Sequence, residues 1–256
     1  MPGVSLDNFL RTPERRTFTY TKPLMHSPGK APVELSRLDI KNWAPTPADV
    51  EGELCSALRD LAPQFHALIV MDQAGVPGCG VITPAILRTV RDLAIAHPKL
   101  VVLADSRHGL GQFPPLVFKM NVAEFAALTS PAKSKRAIGD VDHAAAALTL
   151  ADIMAGADRL AQAGKRAVFI TLAERGIIGA APGEPAQHVP ALPVRGAIDV
   201  VGAGDAVTAA LTLALAAGAT LREAMELAQA AASFVIHQLG TTGAARVSDI
   251  RKKLFP

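Results

Sequence analysis

Asp199-Val-Val-Gly-Ala-Gly-Asp205 runs without a break into Ala206-Val-Thr-Ala-Ala-Leu-Thr-Leu-Ala-Leu-Ala-Ala-Gly218. A glycine-rich turn ending in a carboxylate thus opens an apolar run of helical composition. Thr208 and Thr212 punctuate that run, which is too short to cross a bilayer. Free N–H groups at a helix N-terminus bind anions, and glycines let backbone approach a phosphate with no Cβ in the way. Asp205 sits beside that anion site. A carboxylate there would repel phosphate, so its placement makes chemical sense if it takes a proton from an attacking hydroxyl while the N–H groups of Gly202, Ala203 and Gly204 hold developing charge. The competing reading is a tight turn with an acidic first-turn residue that suits the helix dipole.

Outward from this stretch, apolar runs alternate with helical patterns. Strands are predicted over 67–71, 100–104, 116–118 and 167–171, with a hairpin return over 177–180. Helices are predicted over 49–61, 84–96, 122–128, 142–163, 203–217 and 221–238; Thr83 and Pro84 mark the start of the second. Continuous apolar strands between helices imply a parallel sheet covered on both faces, an α/β fold. The strands run out into Asp72, Asp105, Asn121 and Thr171, which would gather at the carboxyl edge where open α/β sheets place ligands. Residues 1–47 are irregular and rich in Pro, Arg and Thr, with extended stretches over 16–24 and 33–40.

Several of these elements resemble one family. Asp199 to Asp205 is similar to the C-terminal signature of the ribokinase-like (PfkB) carbohydrate and nucleoside kinases, an Asp, two residues, then Gly-Ala-Gly-Asp. Asn121-Val-Ala-Glu124 resembles the family's Asn-x-x-Glu element, and Thr171-Leu-Ala-Glu-Arg-Gly176 its Thr-x-Gly-x-x-Gly nucleotide loop. Leu239-Gly240-Thr241, with the preceding helix, is similar to the stretch that closes over adenine. The order along the chain matches as well.

The resemblance implies a ribokinase-like, mostly parallel sheet and an ATP-dependent transfer of phosphate to a sugar hydroxyl, with Asp205 as base. It implies that Glu124 and Asn121 organise Mg²⁺ through water; the alternative is that they form a helix capping box, and the two roles are compatible. Thr171 and Gly176 would contact the nucleotide, although Ala173 stands where a glycine is usual. Adenine would lie between that loop and the helix carrying Ala231, Ser233 and His237, with Gly240 beyond. Asp199 resembles a position that in many relatives helps hold a monovalent cation such as K⁺, with a plain turn-forming Asp as the other reading.

Thr17 to Lys22, then Arg37-Leu-Asp39, resemble the Thr-x-x-Lys and Arg-x-Asp elements of the heptose-phosphate kinase branch. Asp72 and the glycine-containing stretch after it fit that branch, whose usual Tyr and Lys are absent. Lys22, Arg37 and Asp72 are therefore the acceptor-binding candidates for a sugar or sugar phosphate. The first strand, glycine-rich sugar loop and Gly-Gly segment usual in the family have no counterpart before residue 20. The expectation is one PfkB-type domain over 1–256, N-terminally truncated, with 1–47 a remnant of the sugar-binding part and 48–256 the α/β core. Lost strands would leave an open sheet edge that favours association, such as a homodimer. A nucleotide-binding remnant without transfer activity is the alternative function.

Composition excludes other classes. At 256 residues, half of them hydrophobic and few aromatic, the chain is long enough for one substantial α/β core. A net charge of +3 with interspersed signs gives no nucleic-acid stripe. No apolar run spans a membrane, and the amino terminus lacks a secretory pattern, so a cytoplasmic protein is expected. Cys55 and Cys79 give neither metal spacing nor a disulfide framework. No Gly-x-Gly-x-x-Gly follows an early strand and no Gly-x-x-x-x-Gly-Lys-Ser/Thr occurs, which disfavours dinucleotide oxidoreductases and P-loop phosphotransferases.

Overall fold

The computed structural model describes residues 4–30, 32–129 and 147–254. Its first regular elements are two short antiparallel ladders. Strand β1 (Thr19–Thr21) pairs with β4 (Leu38–Ile40), and β2 (Leu24–Met25) with β3 (Val33–Glu34). Every residue of the four strands is exposed.

From residue 48 the chain alternates helix and strand. In order come α1 (Ala48–Leu61), β5 (Ala67–Asp72), α2 (Pro84–Ala96), β6 (Val101–Ser106), β7 (Val117–Asn121) and α3 (Val122–Thr129). Then follow α4 (Leu150–Gly164), β8 (Val168–Thr171), β9 (Ile177–Ala181), β10 (Glu184–Val189), α5 (Ala203–Ala216), α6 (Leu221–Val235) and α7 (Val247–Leu254). Six strands form one sheet in the order β10-β9-β8-β7-β6-β5. The run from β5 to β8 is parallel, and β9 and β10 are antiparallel additions.

Side-chain alternation along the strands builds two cores. Val102, Ala104, Val168, Ile170, Ile178 and Ala180 face α2, α3 and α4, where Ile86, Phe125 and Ile153 meet them. Leu103, Phe169 and Ile177 face the opposite side, against Leu211 of α5 and Met225 of α6. A strand buried on both faces must be apolar at every position, which is why these runs are continuous rather than alternating. The α/β class and the mostly parallel, helix-flanked sheet expected from the sequence are therefore present.

Two helix bounds differ from expectation, and one strand was not expected. The helix predicted over 142–163 starts at Leu150 in the described residues, because Thr149 and Asp152 make a reciprocal capping box there; residues 142–146 lie outside them. The 221–238 helix stops at Val235, where the chain tightens into a turn closed by Gln238 N–H on the Val235 carbonyl. Strand β10 had no sequence prediction. Cys55 and Cys79 are free and buried. No helix among the described residues is long and apolar enough to cross a membrane.

Candidate active site

Because β5 to β8 are parallel, their carboxyl ends share one edge. The register places Asp72 beside Ser106 and Asn121 beside Thr171, so all four predicted strand-end residues lie on it. Ser106 Oγ also donates to Asp72 Oδ2 at 3.1 Å.

Helix α5 begins at this edge. Gly202 precedes it with φ +83°, and a Cβ there would lie 2.0 Å from the Thr242 carbonyl oxygen, so only glycine fits. The Ala203 N–H donates to the Val200 carbonyl at 3.2 Å. Ala203, expected to help line the anion hole, therefore spends its N–H on the turn. Among the described residues no acceptor takes the N–H groups of Gly202, Gly204 or Asp205, and these remain as donors. Asp205 is exposed in the first turn of α5.

Behind the loop lies a charge pair that sequence reasoning missed. Lys119 Nζ donates to Asp105 Oδ2 at 2.8 Å, and Thr208 Oγ1 of α5 lies 3.0 Å from the same oxygen. Lys119 is 6 % exposed, Asp105 8 % and Thr208 0 %. The ammonium lies 3.4 Å from where a Cβ of Gly204 would stand, directly beneath the loop. The signal available in sequence was a lysine at an inward position of a buried strand, which needs a carboxylate partner.

Asn121 and Glu124 form a capping box at α3. The Asn121 N–H donates to Glu124 Oε2 at 2.8 Å, and the Glu124 N–H to Asn121 Oδ1 at 2.9 Å. Burial raises the Glu124 pKa above the ordinary glutamate range; the Asn121 N–H opposes this, the Asp105 charge adds to it, and Lys119 and Arg107 offset part. Among the described residues no three His, Cys, Asp or Glu gather closely enough to hold a metal alone. A single carboxylate short of compensating positive charge, beside one amide, suits a Mg²⁺ that keeps most of its waters.

The nucleotide loop is a tight turn. Thr171 Oγ1 donates to the Met120 carbonyl at 3.4 Å, and the Leu172 N–H donates to the Gly176 carbonyl at 2.8 Å. Gly176 has φ +98°, and a Cβ on it would meet the Val189 carbonyl oxygen at 2.1 Å. Ala173 holds φ +53° with its methyl exposed. The glycine usual at that position thus answers a left-handed backbone rather than a packed neighbour.

On the adenine side, Ser233 is buried and its Oγ has no hydrogen-bond partner among the described residues. His237 Nδ1 lies 2.6 Å from the Ser233 carbonyl oxygen. Asp199 accepts the Val201 N–H at 3.0 Å and the Gly240 N–H at 3.3 Å. It thereby ties the loop before α5 to the segment after α6.

Two cavities open beside Asp72. One of about 560 Å³ has Thr83, Arg88, His108 and Gln112 in its wall. The other, about 490 Å³, includes Arg15, Arg16, Tyr20 and Met71. Lys22 and Arg37 belong to neither wall. Lys22 pairs with Glu34 at 3.3 Å and Arg37 with Asp39 at 2.7 Å on the exposed ladders. The Arg37 hydrogen bond, with help from Lys41, holds the Asp39 carboxyl below its usual range.

The profile of the pfkB family of carbohydrate kinases matches residues 78–247. The bifunctional protein HldE of Bradyrhizobium sp. (strain ORS 278) is 32% identical over 226 residues, covering 88% of this chain and 42% of that protein. HldE of Caulobacter vibrioides is 34% identical over 163 residues, 63% of this chain and 31% of that protein. The chain thus spans under half the length of these relatives. Phosphofructokinase-2 from Escherichia coli in complex with potassium superposes with a TM-score of 0.59 at 21% identity, over 85% of this chain and 65% of that one. Arabidopsis thaliana ribokinase complexed with ribose and ATP gives 0.57 at 17%, over 91% and 68%. These structures share the fold, and the family profile covers well over half of the sequence: the chain belongs to the pfkB family of carbohydrate kinases.

Proposed function

We propose that this chain transfers the γ-phosphate of ATP to a hydroxyl of a small sugar or sugar phosphate. The observation that carries the reading is Asp205, exposed at the mouth of a helix N-terminus whose Gly202, Gly204 and Asp205 N–H groups have no acceptor among the described residues. Asp205 takes the acceptor's hydroxyl proton as that oxygen bonds to phosphorus and the bond from phosphorus to the β-phosphate oxygen breaks, releasing ADP. The unpaired N–H groups hold the equatorial charge. Thr171 and Gly176 hold the phosphate chain, Ser233 and Gly240 border the base, and Asp72 orients the acceptor from between the two cavities. Lys22 and Arg37 can meet an anionic acceptor only by leaving Glu34 and Asp39.

Glu124 and Asn121 would hold Mg²⁺ through water; when bound, that ion supplies charge neutralisation between the phosphates. Asp199 is the candidate for K⁺, in line with the potassium complex of phosphofructokinase-2.

Asp205→Asn tests the assignment. Removing a general base costs about 10²–10⁴-fold in kcat, and a surface substitution should leave melting within about 0.5 kcal/mol of wild type. Undiminished turnover in the variant would refute the base. A second reading, nucleotide binding without transfer, is favoured by the already paired state of Lys22 and Arg37. It predicts ATP affinity with no turnover on any sugar or sugar phosphate.

A further inference from the structure

The pair Lys119–Asp105 is expensive where it stands. Two charges 6 % and 8 % exposed lose their hydration, and well-packed apolar residues would commonly stabilise the same space more. Its position relative to the loop explains its presence better than stability does. Lys119 Nζ lies 3.4 Å from the point where a Cβ of Gly204 would stand, so the pair is a fixed dipole with its positive end under the loop.

Thr208 connects this dipole to the backbone. Its single hydroxyl proton has two acceptors, Asp105 Oδ2 and the Gly204 carbonyl, each at 3.0 Å. Asp105 Oδ2 thereby joins β6, β7 and α5, and Thr208 Oγ1 carries the connection on to the Gly204 carbonyl of the first turn. We infer that the Lys119–Asp105 pair, acting through Thr208, is the positioning element that aims the Gly202–Asp205 loop at the phosphoryl group. Lys119, Asp105 and Thr208 are positioning residues, distinct from Asp205, which meets the substrate. The inference rests on the phosphoryl-transfer reading of the loop.

Thr208→Val is the discriminating change because it keeps both charges and nearly the same volume while removing the hydroxyl. Calorimetric titration with ATP and with AMP, beside thermal melting, separates a positioning role from a structural one. The loop serves the terminal phosphates and not the α-phosphate. Thr208→Val is therefore expected to weaken ATP about tenfold while leaving AMP within about twofold, and Thr208→Ser to restore ATP, since a hydrogen bond to a charged group is what is lost and regained. The double variant Lys119→Met/Asp105→Leu removes the pair without stranding a charge. It should melt at least as high as wild type yet bind ATP as weakly as Thr208→Val.

Unchanged ATP affinity in Thr208→Val or in the double variant overturns the inference, as does an equal loss of ATP and AMP. A wild-type protein that holds AMP as tightly as ATP is a different failure. It removes the phosphoryl reading of the loop itself, and the inference with it.

Discussion

Two residues at the site hold states that a stability-optimised sequence would avoid. Ala173 occupies a left-handed backbone at φ +53° with an exposed methyl. Such a conformation costs a non-glycine residue about 1–2 kcal/mol. Ala173→Gly should recover part of that, about 1 kcal/mol after the glycine's greater unfolded-state entropy is counted, measured as a higher urea midpoint at constant m-value. Glu124 is the second. Burial and the Asp105 charge raise its pKa, so its ionised form opposes folding. The sign follows: stability is fullest below the ordinary glutamate pKa and is lost as pH rises through the raised one. Glu124→Gln keeps an oxygen for the Asn121 N–H and should melt higher than wild type at neutral pH, with the gain shrinking in acid, while Mg²⁺-dependent turnover falls. A Gln variant less stable at neutral pH would show that the carboxylate is instead a net stabiliser.

At the level of elements, local signals and tertiary context divide what could be read in advance. Helix α2 has the predicted bounds because Thr83 accepts from the Ile86 N–H and Pro84 follows it, both local signals. The capping box of α4 is equally local, yet the helix expected from the sequence runs past it over 147–149, because Ala147 and Leu148 have favourable propensity and no proline interrupts them. Thr149→Ala should cost about 1 kcal/mol. The Thr149 hydroxyl also holds the Asp152 carboxyl below its usual range, so the penalty should diminish as pH falls through the aspartate range, where that stabilisation is lost in wild type too. Strand β10 escaped notice because Glu184, Pro185, Gln187 and His188 read as loop. A proline and a register shift are tolerated since β10 is an edge strand. The glycine loop, the capping pair and the nucleotide turn were legible as motifs. Lys119 and Asp105 were not legible as a pair, since their link to Thr208 depends on a helix about a hundred residues further on docking onto the face of the sheet.

The whole molecule joins that docking to ligand binding. Helix α5 packs on β5 and β6 with its N-terminus at the carboxyl edge, and the Gly202 turn is braced by Thr242 beyond α6. An anion held at the loop therefore touches a part of the fold that exists only when the sheet, α5 and the segment after α6 are assembled, so binding must stabilise the native state. A ligand at about 100 times its Kd adds about 2.7 kcal/mol. For a chain of this size each kcal/mol moves Tm by about 2–4 °C. Saturating Mg-ATP should accordingly raise the melting temperature by about 5–10 °C, with AMP producing a smaller shift. Asp205→Asn should keep the full shift or enlarge it, because the carboxylate repels the triphosphate and is needed only for proton removal. Gly202→Ala should lose it, since the added methyl would stand 2.0 Å from the Thr242 oxygen and push the loop out of line. Loss of the ATP shift in Asp205→Asn together with its retention in Gly202→Ala would reverse the two roles, making the carboxylate the nucleotide's anchor and the glycine loop a bystander.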